Sequence, residues 1–165
     1  MKKVLVIGCP GSGKSTFARA LHAASGLPLH HLDLLYWNAD KTTVPRERFL
    51  SRLEAVLAGE AWIIDGNYAS TLELRLQYCD AVFFLDYPAE LCLAGVAARR
   101  GQSRTDMPWI EETEDGEFIA FIKAFGETTR PLIAEFLRRH PDKQIVVFHN
   151  RDDADRWLRQ FSQNH

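Results

Sequence analysis

The sequence predicts an α/β protein whose parallel sheet is covered by helices on both faces. Three observations lead there. Residues 4–7, 62–64, 81–85 and 145–148 are short runs that are apolar at every position, as strands buried on both sides require. Longer segments with apolar residues at helical spacing alternate with them, the order of a layered α/β domain. The chemically unusual residues fall just beyond the strand runs, where ligands bind in such sheets.

Taken in order, residues 4–7 form a first strand. Residues 14–25 form a helix that places Phe17, Leu21 and Ala24 on one face. Residues 28–32 read as a second strand, and residues 45–58 carry the helical stripe Phe49, Leu53, Val56 and Leu57. Trp62, Ile63 and Ile64 run into an Asp65-Gly66 turn. Residues 81–85 end in Asp86, and Pro88 opens a helix, a position that suits its fixed φ and missing N–H. Phe118, Ile119, Phe121, Ile122 and Phe125 repeat at helical spacing, as do Leu132, Ile133, Phe136 and Leu137, with Pro131 separating the two segments. Residues 145–148 are the last strand, and Ala154, Trp157, Leu158 and Phe161 mark a closing amphipathic helix.

No repeat, linker or low-complexity tract divides the 165 residues, so one domain with one core is expected. Hydrophobic residues make up 46% and charged residues 25%, an ordinary globular balance, and the net charge is −2. A chain without a global positive field is poorly suited to direct nucleic-acid or anionic-membrane binding. The three cysteines, Cys9, Cys79 and Cys92, lack metal or redox spacing and read as free thiols in a reducing compartment. The apolar run after Met1-Lys2-Lys3 is too short for a signal peptide or membrane span, which places the expectation in the cytoplasm. Nothing in the pattern distinguishes a monomer from a dimer.

The most specific motif is Gly8-Cys9-Pro10-Gly11-Ser12-Gly13-Lys14-Ser15. It fits G-x-x-x-x-G-K-[ST] at every fixed position and lies between a buried strand and a helix. The glycines let the chain turn with N–H groups inward, making an anion nest at the positive end of the helix. Lys14 would reach the β- and γ-phosphates of ATP, the Ser15 hydroxyl would bind Mg²⁺, and Thr16 completes the phosphate-binding turn. Cys9 reads as a small residue in a tight loop. No N-K-x-D guanine motif is present, which argues against a GTPase.

Carboxylates follow the strands. Asp65 stands where a magnesium-holding acid belongs, or it forms an Asx turn into Gly66. Asp86 looks more like a lead-in to the next helix. Asp33, after His30-His31-Leu32, is placed to accept a proton from an acceptor hydroxyl, or to cap the following turn. His30 and His31 read as polar strand-end residues rather than metal ligands. Arg99-Arg100-Gly101-Gln102-Ser103-Arg104 is the densest basic cluster and precedes the acids Glu111, Glu112, Glu114, Asp115 and Glu117. Arg99 and Arg104 are candidates for stabilising a transferring phosphoryl group from a lid, against the alternative of helix-end cations. Arg75 and Arg130 could hold an anionic acceptor or form surface ion pairs. Trp37 and Tyr68 could wall an acceptor pocket or pack in the core.

Together the phosphate loop, the Asp65-Gly66 turn, the strand ending in Asp86 and the lid arginines resemble the adenylate-kinase-like branch of P-loop kinases. More closely, His31-Leu32-Asp33 with Trp37, Asp65-Gly66-Asn67-Tyr68, Arg75 and Arg104-Thr105-Asp106 resemble small bacterial proteins labelled DNA topology modulation protein. The resemblance implies a three-layer P-loop fold with a five-stranded parallel sheet in the order 2-3-1-4-5. It also implies a lid over roughly residues 99–115 and an acceptor-binding segment over roughly residues 33–60. Asn67-Tyr68 replace the arginine that a nucleoside monophosphate kinase usually carries after the third strand. Asp33 at the start of the acceptor segment is more like kinases of small hydroxylated metabolites such as shikimate or gluconate. Thr129-Arg130-Pro131-Leu132 also echoes a shikimate-kinase segment. The expected activity is Mg²⁺-ATP-dependent phosphoryl transfer to a nucleotide or hydroxylated metabolite. The alternative is a nucleotide-sensing switch that docks on a protein or DNA partner through residues 109–125.

Overall fold

The computed structural model describes residues 1–110 and 115–165. Five strands alternate with helices: β1 (Lys3–Gly8), α1 (Lys14–Ser25), β2 (Leu29–His31), α2 (Leu32–Tyr36), α3 (Arg46–Leu57), β3 (Trp62–Asp65), α4 (Ala69–Tyr78), β4 (Ala81–Leu85), α5 (Ala89–Arg99), α6 (Gly116–Thr128), α7 (Arg130–Arg138), β5 (Gln144–Phe148) and α8 (Arg151–Asn164). The sheet order is β2-β3-β1-β4-β5 and every pairing is parallel, as the resemblance implied. Parallel neighbours need crossovers, and the helices that supply them cover both faces.

The uninterrupted apolar runs are explained by that cover. Val4, Leu5, Val6 and Ile7 in β1, Ile63 and Ile64 in β3, and Ala81, Val82 and Phe83 in β4 are all completely buried. Phe17 of α1 lies 5.2 Å from the Phe83 ring and 5.6 Å from Phe148, and Trp157 of α8 meets Phe83 edge to face at 4.6 Å. Such aromatic pairs add to the stabilisation that area burial alone gives.

One boundary differs from the sequence reading. The second strand stops at His31, and Leu32 starts a five-residue helix. Leu32 is buried and seats against Gly66, where an added Cβ would lie 2.8 Å from the Leu32 Cβ. Its apolar character thus serves a loop contact instead of another strand position. The break between α6 and α7 falls at Thr129, and Pro131 occupies the first turn of α7, where its missing N–H costs nothing. Helix α6 buries Ile122 and Phe125 in the core, so this part of the segment offered as an alternative docking face contributes core packing. Of the acidic stretch, Glu111, Glu112 and Glu114 lie outside the described residues. Asp115 caps α6 by accepting from the Glu117 and Phe118 amides.

Strand register sets up the site. His31 and Asp65, the last residues of β2 and β3, lie side by side and next to Val6 of β1, which brings residues distant in sequence to one rim.

Candidate active site

The phosphate loop leaves β1 at Gly8 and turns through two left-handed residues, Gly11 (φ 84) and Gly13 (φ 94), a conformation that only glycine adopts freely. Gly13 precedes α1, whose first turn has neither a side-chain cap nor an acidic residue. Its free N–H groups and helix dipole therefore favour an anion. The loop backs directly onto α5. A Cβ on Gly11 would lie 2.0 Å from the Cys92 carbonyl oxygen, and one on Gly95 would lie 2.0 Å from the Gly11 carbonyl oxygen. Arg151, at the start of α8, donates to the carbonyls of Ser12 (3.1 Å) and Gly11 (3.2 Å). The Ser12 hydroxyl is buried without a partner among the described residues. Among the described residues the Lys14 ammonium makes a long contact with the Cys9 carbonyl, 3.4 Å. Burial lowers the Lys14 pKa, while the charges of Asp65 and Asp33 oppose that shift. An ammonium destabilised by burial and flanked by the nest is suited to receive phosphate charge.

Two carboxylates face it. Asp65, 4% exposed, accepts a 2.7 Å hydrogen bond from Nδ1 of His31, the pairing that the β2–β3 register dictates. Burial works against the His31 imidazolium, but the bond and charge of Asp65, helped by Asp106, raise its pKa overall. Asp33, from α2, accepts a hydrogen bond from the Tyr68 hydroxyl. Burial raises its pKa, partly offset by that bond and by the charge of Lys14.

The loop after β3 holds these groups in place. Gly8 N–H donates to Oδ1 of Asn67 at 3.0 Å, and Nδ2 of Asn67 donates back to the Gly8 carbonyl. The side-chain amide thus imitates one more rung of a ladder between the two strand ends. Tyr68 adopts a left-handed backbone (φ 33) at the start of α4, a conformation that is strained for a bulky residue. Arg75 fixes this turn from inside. It is completely buried, and it donates to Thr71 Oγ1 (3.2 Å), Gly66 O (3.1 Å), Tyr68 O (3.1 Å) and Asn67 O. Burial pulls its pKa down to about 9, which still leaves it protonated at neutral pH.

The lid side adds a carboxylate that the sequence reading carried only within a resemblance. Asp106, 5% exposed, accepts from the Ser15 hydroxyl at 2.8 Å and from Arg104 through Nε (3.0 Å) and Nη2 (2.6 Å). Burial opposes its charge, but the Arg104 bond and charge and the Ser15 bond hold its pKa well below the usual carboxylate range. Arg19 of α1 reaches Thr105 at 3.1 Å and Thr16 at 3.2 Å. These contacts draw residues 104–106 onto the phosphate loop.

Most of the predicted residues meet in one cleft of about 1190 Å³, larger than the roughly 300–1,000 Å³ of a single small-molecule pocket. Pro10, Gly11, Gly13, Lys14, Ser15 and Thr16 line one part of it, and Asp33, Trp37, Asp65, Tyr68, Arg99 and Arg104 the rest. Gly8 and Ser12 shape the loop from beneath. The acceptor role is corrected for two arginines, and for Arg130 the alternative of a surface ion pair holds. Arg75 is neither an acceptor ligand nor a surface ion pair, because its donors are engaged by the loop carbonyls it supports. Arg130 lies away from this cleft, beside a separate hollow of about 350 Å³, where it is bonded to Asp86 through Nε (2.8 and 2.9 Å). His31, Asn67 and Asp106 gain roles that only their long-range partners reveal. Among the described residues no group of three or more His, Cys, Asp or Glu could hold a metal by itself, and no helix is long and apolar enough to cross a membrane.

No family model matches the chain, and no curated protein does. Solved structures do match. Shikimate kinase from Acinetobacter baumannii in complex with shikimate superposes with a TM-score of 0.63 at 18% identity, covering 99% of this chain and 94% of that one. Shikimate kinase from Bacteroides thetaiotaomicron gives a TM-score of 0.62 at 18% identity, covering 98% and 96%. These matches correct the resemblance to adenylate-kinase-like topology modulation proteins: the similarity found is to shikimate kinases. At such identity it is a likeness of fold alone: the chain has a three-layer α/β P-loop fold that matches that of these structures.

Proposed function

We propose that the protein is a Mg²⁺-ATP-dependent kinase that transfers the γ-phosphoryl group to a hydroxyl of a small molecule. The observation that carries this reading is the meeting, in one cleft, of the Lys14–Ser15 phosphate loop with two carboxylates of different surroundings. Asp65 lies on the rim beside β1, and Asp33 lies under the Tyr68 hydroxyl. The size of the cleft and the full-length likeness to shikimate kinases support it.

The residues fit the nucleotide and its ion. The nest at Gly11 and Gly13, the uncapped α1 terminus and the orphan Ser12 hydroxyl suit a polyphosphate. Magnesium shared with phosphates needs one or two protein oxygens rather than a cage of side chains, and Ser15 with Asp65 would supply them. Bound Mg²⁺-ATP brings the transferable phosphoryl group and a counter-charge for its oxygens. Ser15 would give up its bond to Asp106 on binding. Lys14 would neutralise the phosphate oxygens. Asp33 orients the acceptor hydroxyl and takes its proton, and Tyr68 fixes the carboxylate for that task. Arg99 and Arg104 stabilise charge on the transferring group, and the 104–106 segment keeps water out.

Coupled ADP release from Mg²⁺-ATP across nucleosides, nucleotides and polyols tests the reading. Acceptor-dependent turnover is expected, with a loss of at least about a hundredfold in Lys14→Ala. Turnover unaffected by that substitution would rule the proposal out.

A further inference from the structure

The end of the cleft around Asp33 is built of carboxylate and aromatic groups. Trp37, just beyond α2, and Trp109, from the lid side, meet edge to face at 5.4 Å with planes 85° apart. Both are half-buried and line the cleft, as does Phe118 of α6. Two perpendicular indoles make an apolar corner against which a flat ring can stack while its edge meets the second ring. Beside them, Asp33 and Tyr68 offer a hydrogen-bonding pair suited to a hydroxyl.

Cations are placed elsewhere. Arg151 is engaged on the phosphate-loop carbonyls, Arg19 on Thr16 and Thr105, and Arg104 on Asp106. Arg99 lies close enough to Lys14 to lower its pKa, which puts it at the donor end, and Arg100 follows it at the end of α5, the helix that backs the phosphate loop. Arg75 is sealed under the 66–68 turn, and Arg130 is paired with Asp86 outside the cleft. Residues 111–114 are Glu, Glu, Thr and Glu and have no cation to contribute. Among the described residues Lys41 is the cation beside Trp37, exposed to solvent in the Asn38–Thr42 turn, where its charge is screened. An acceptor carrying a phosphate or carboxylate would therefore bring a second negative charge to the Asp33 carboxylate, whose buried counter-charge, Lys14, belongs to the phosphate loop, a costly arrangement.

Resting on the kinase reading for which end of the cleft receives the acceptor, we propose that this end takes an uncharged hydroxyl compound with a flat aromatic face. A nucleoside is the simplest such compound, and its phosphorylated or carboxylated counterpart is rejected. This separates the chain from a kinase of anionic acceptors, although the fold is shared.

Binding is read by quenching of tryptophan fluorescence, with the donor end saturated by Mg²⁺ and non-hydrolysable AMP-PNP. The probes are the four ribonucleosides and their 5′-monophosphates. At least one nucleoside is expected to bind about tenfold or more tightly than its own monophosphate, and Trp109→Leu is expected to weaken that binding about tenfold with the circular dichroism spectrum unchanged. The proposal is overturned if the monophosphates bind as tightly or more tightly. It is also overturned if no nucleoside binds below about 1 mM, or if Lys41→Ala abolishes the tightest binding. ADP release on the same panel separates this inference from the reading it rests on. Nucleoside binding without Lys14-dependent turnover removes the kinase and leaves the site's preference standing. Turnover driven best by an anionic acceptor removes the preference and leaves the kinase standing.

Discussion

Asp33 owes its character to two opposing neighbours. Burial raises its pKa, and the Tyr68 hydroxyl and the Lys14 charge hold the rise in check. A proton acceptor works only when ionised, so activity should be present above that raised pKa and lost as pH falls through it. In Tyr68→Phe the bond favouring the ionised form is gone, and the acid limb of the kcat/KM profile should move to higher pH, with a lower plateau because the carboxylate loses the group that holds it. A limb that stays in place would show that Asp33 is not the titrating group. Arg75 is a buried cation of another kind. Truncation to alanine would strand the carbonyls of Gly66, Asn67 and Tyr68, at a cost of about 3 kcal/mol or more, measurable by urea denaturation. Arg75→Lys should recover little, since one ammonium cannot reproduce the planar fork. This residue was the hardest to read from sequence. An arginine on a helix reads as exposed, and the carbonyls that draw it inward belong to a turn whose φ values the sequence does not display.

At the scale of elements, the contact between the phosphate loop and α5 is backbone against backbone. Gly95→Ala would place a methyl group 2.0 Å from the Gly11 carbonyl oxygen, so either α5 or the loop must move. Overpacking of this sort costs about 1–3 kcal/mol, and here the strain falls on the anion nest. Affinity for a fluorescent ATP analogue should drop by about tenfold or more, while the far-ultraviolet spectrum stays native. Unchanged affinity would mean that the loop's shape does not depend on α5. The segment around Asp106 behaves as a latch. Its depressed pKa means that its contribution is complete above the ordinary carboxylate range and is lost progressively as pH falls from there to the lower folded-state value. Neither relation was legible beforehand. Ser15 and Asp106 are 91 positions apart and His31 and Asp65 are 34 apart, and no local pattern announces such partners. What was legible was local: the loop motif, the continuous apolar strands and the helical stripe of Phe49, Leu53 and Leu57, all of which are buried. Leu32 misled because an apolar residue after a strand continues its pattern whether it extends the sheet or seats a turn.

For the molecule as a whole, the nest, the latch and the carboxylate rim converge on one cleft, so ligand binding and stability are linked. Mg²⁺-ATP at a hundredfold excess over its Kd should add about 2.7 kcal/mol, which for a domain of this size raises the Tm by roughly 5–10 °C. Lys14→Ala should erase that rise in a thermal melt with little change in the ligand-free Tm, and a rise that persists would place the nucleotide elsewhere. The sheet order carries a further consequence for biogenesis. Strands β1 to β4 lie within the first 85 residues and can pair while the ribosome is still translating the rest. The outer face of Phe17, however, is closed by Phe148 and Trp157, which are synthesised well after β4. The nascent chain therefore frames its phosphate loop early but carries a sticky aromatic surface until β5 and α8 arrive, and that interval is when chaperones would matter most to it.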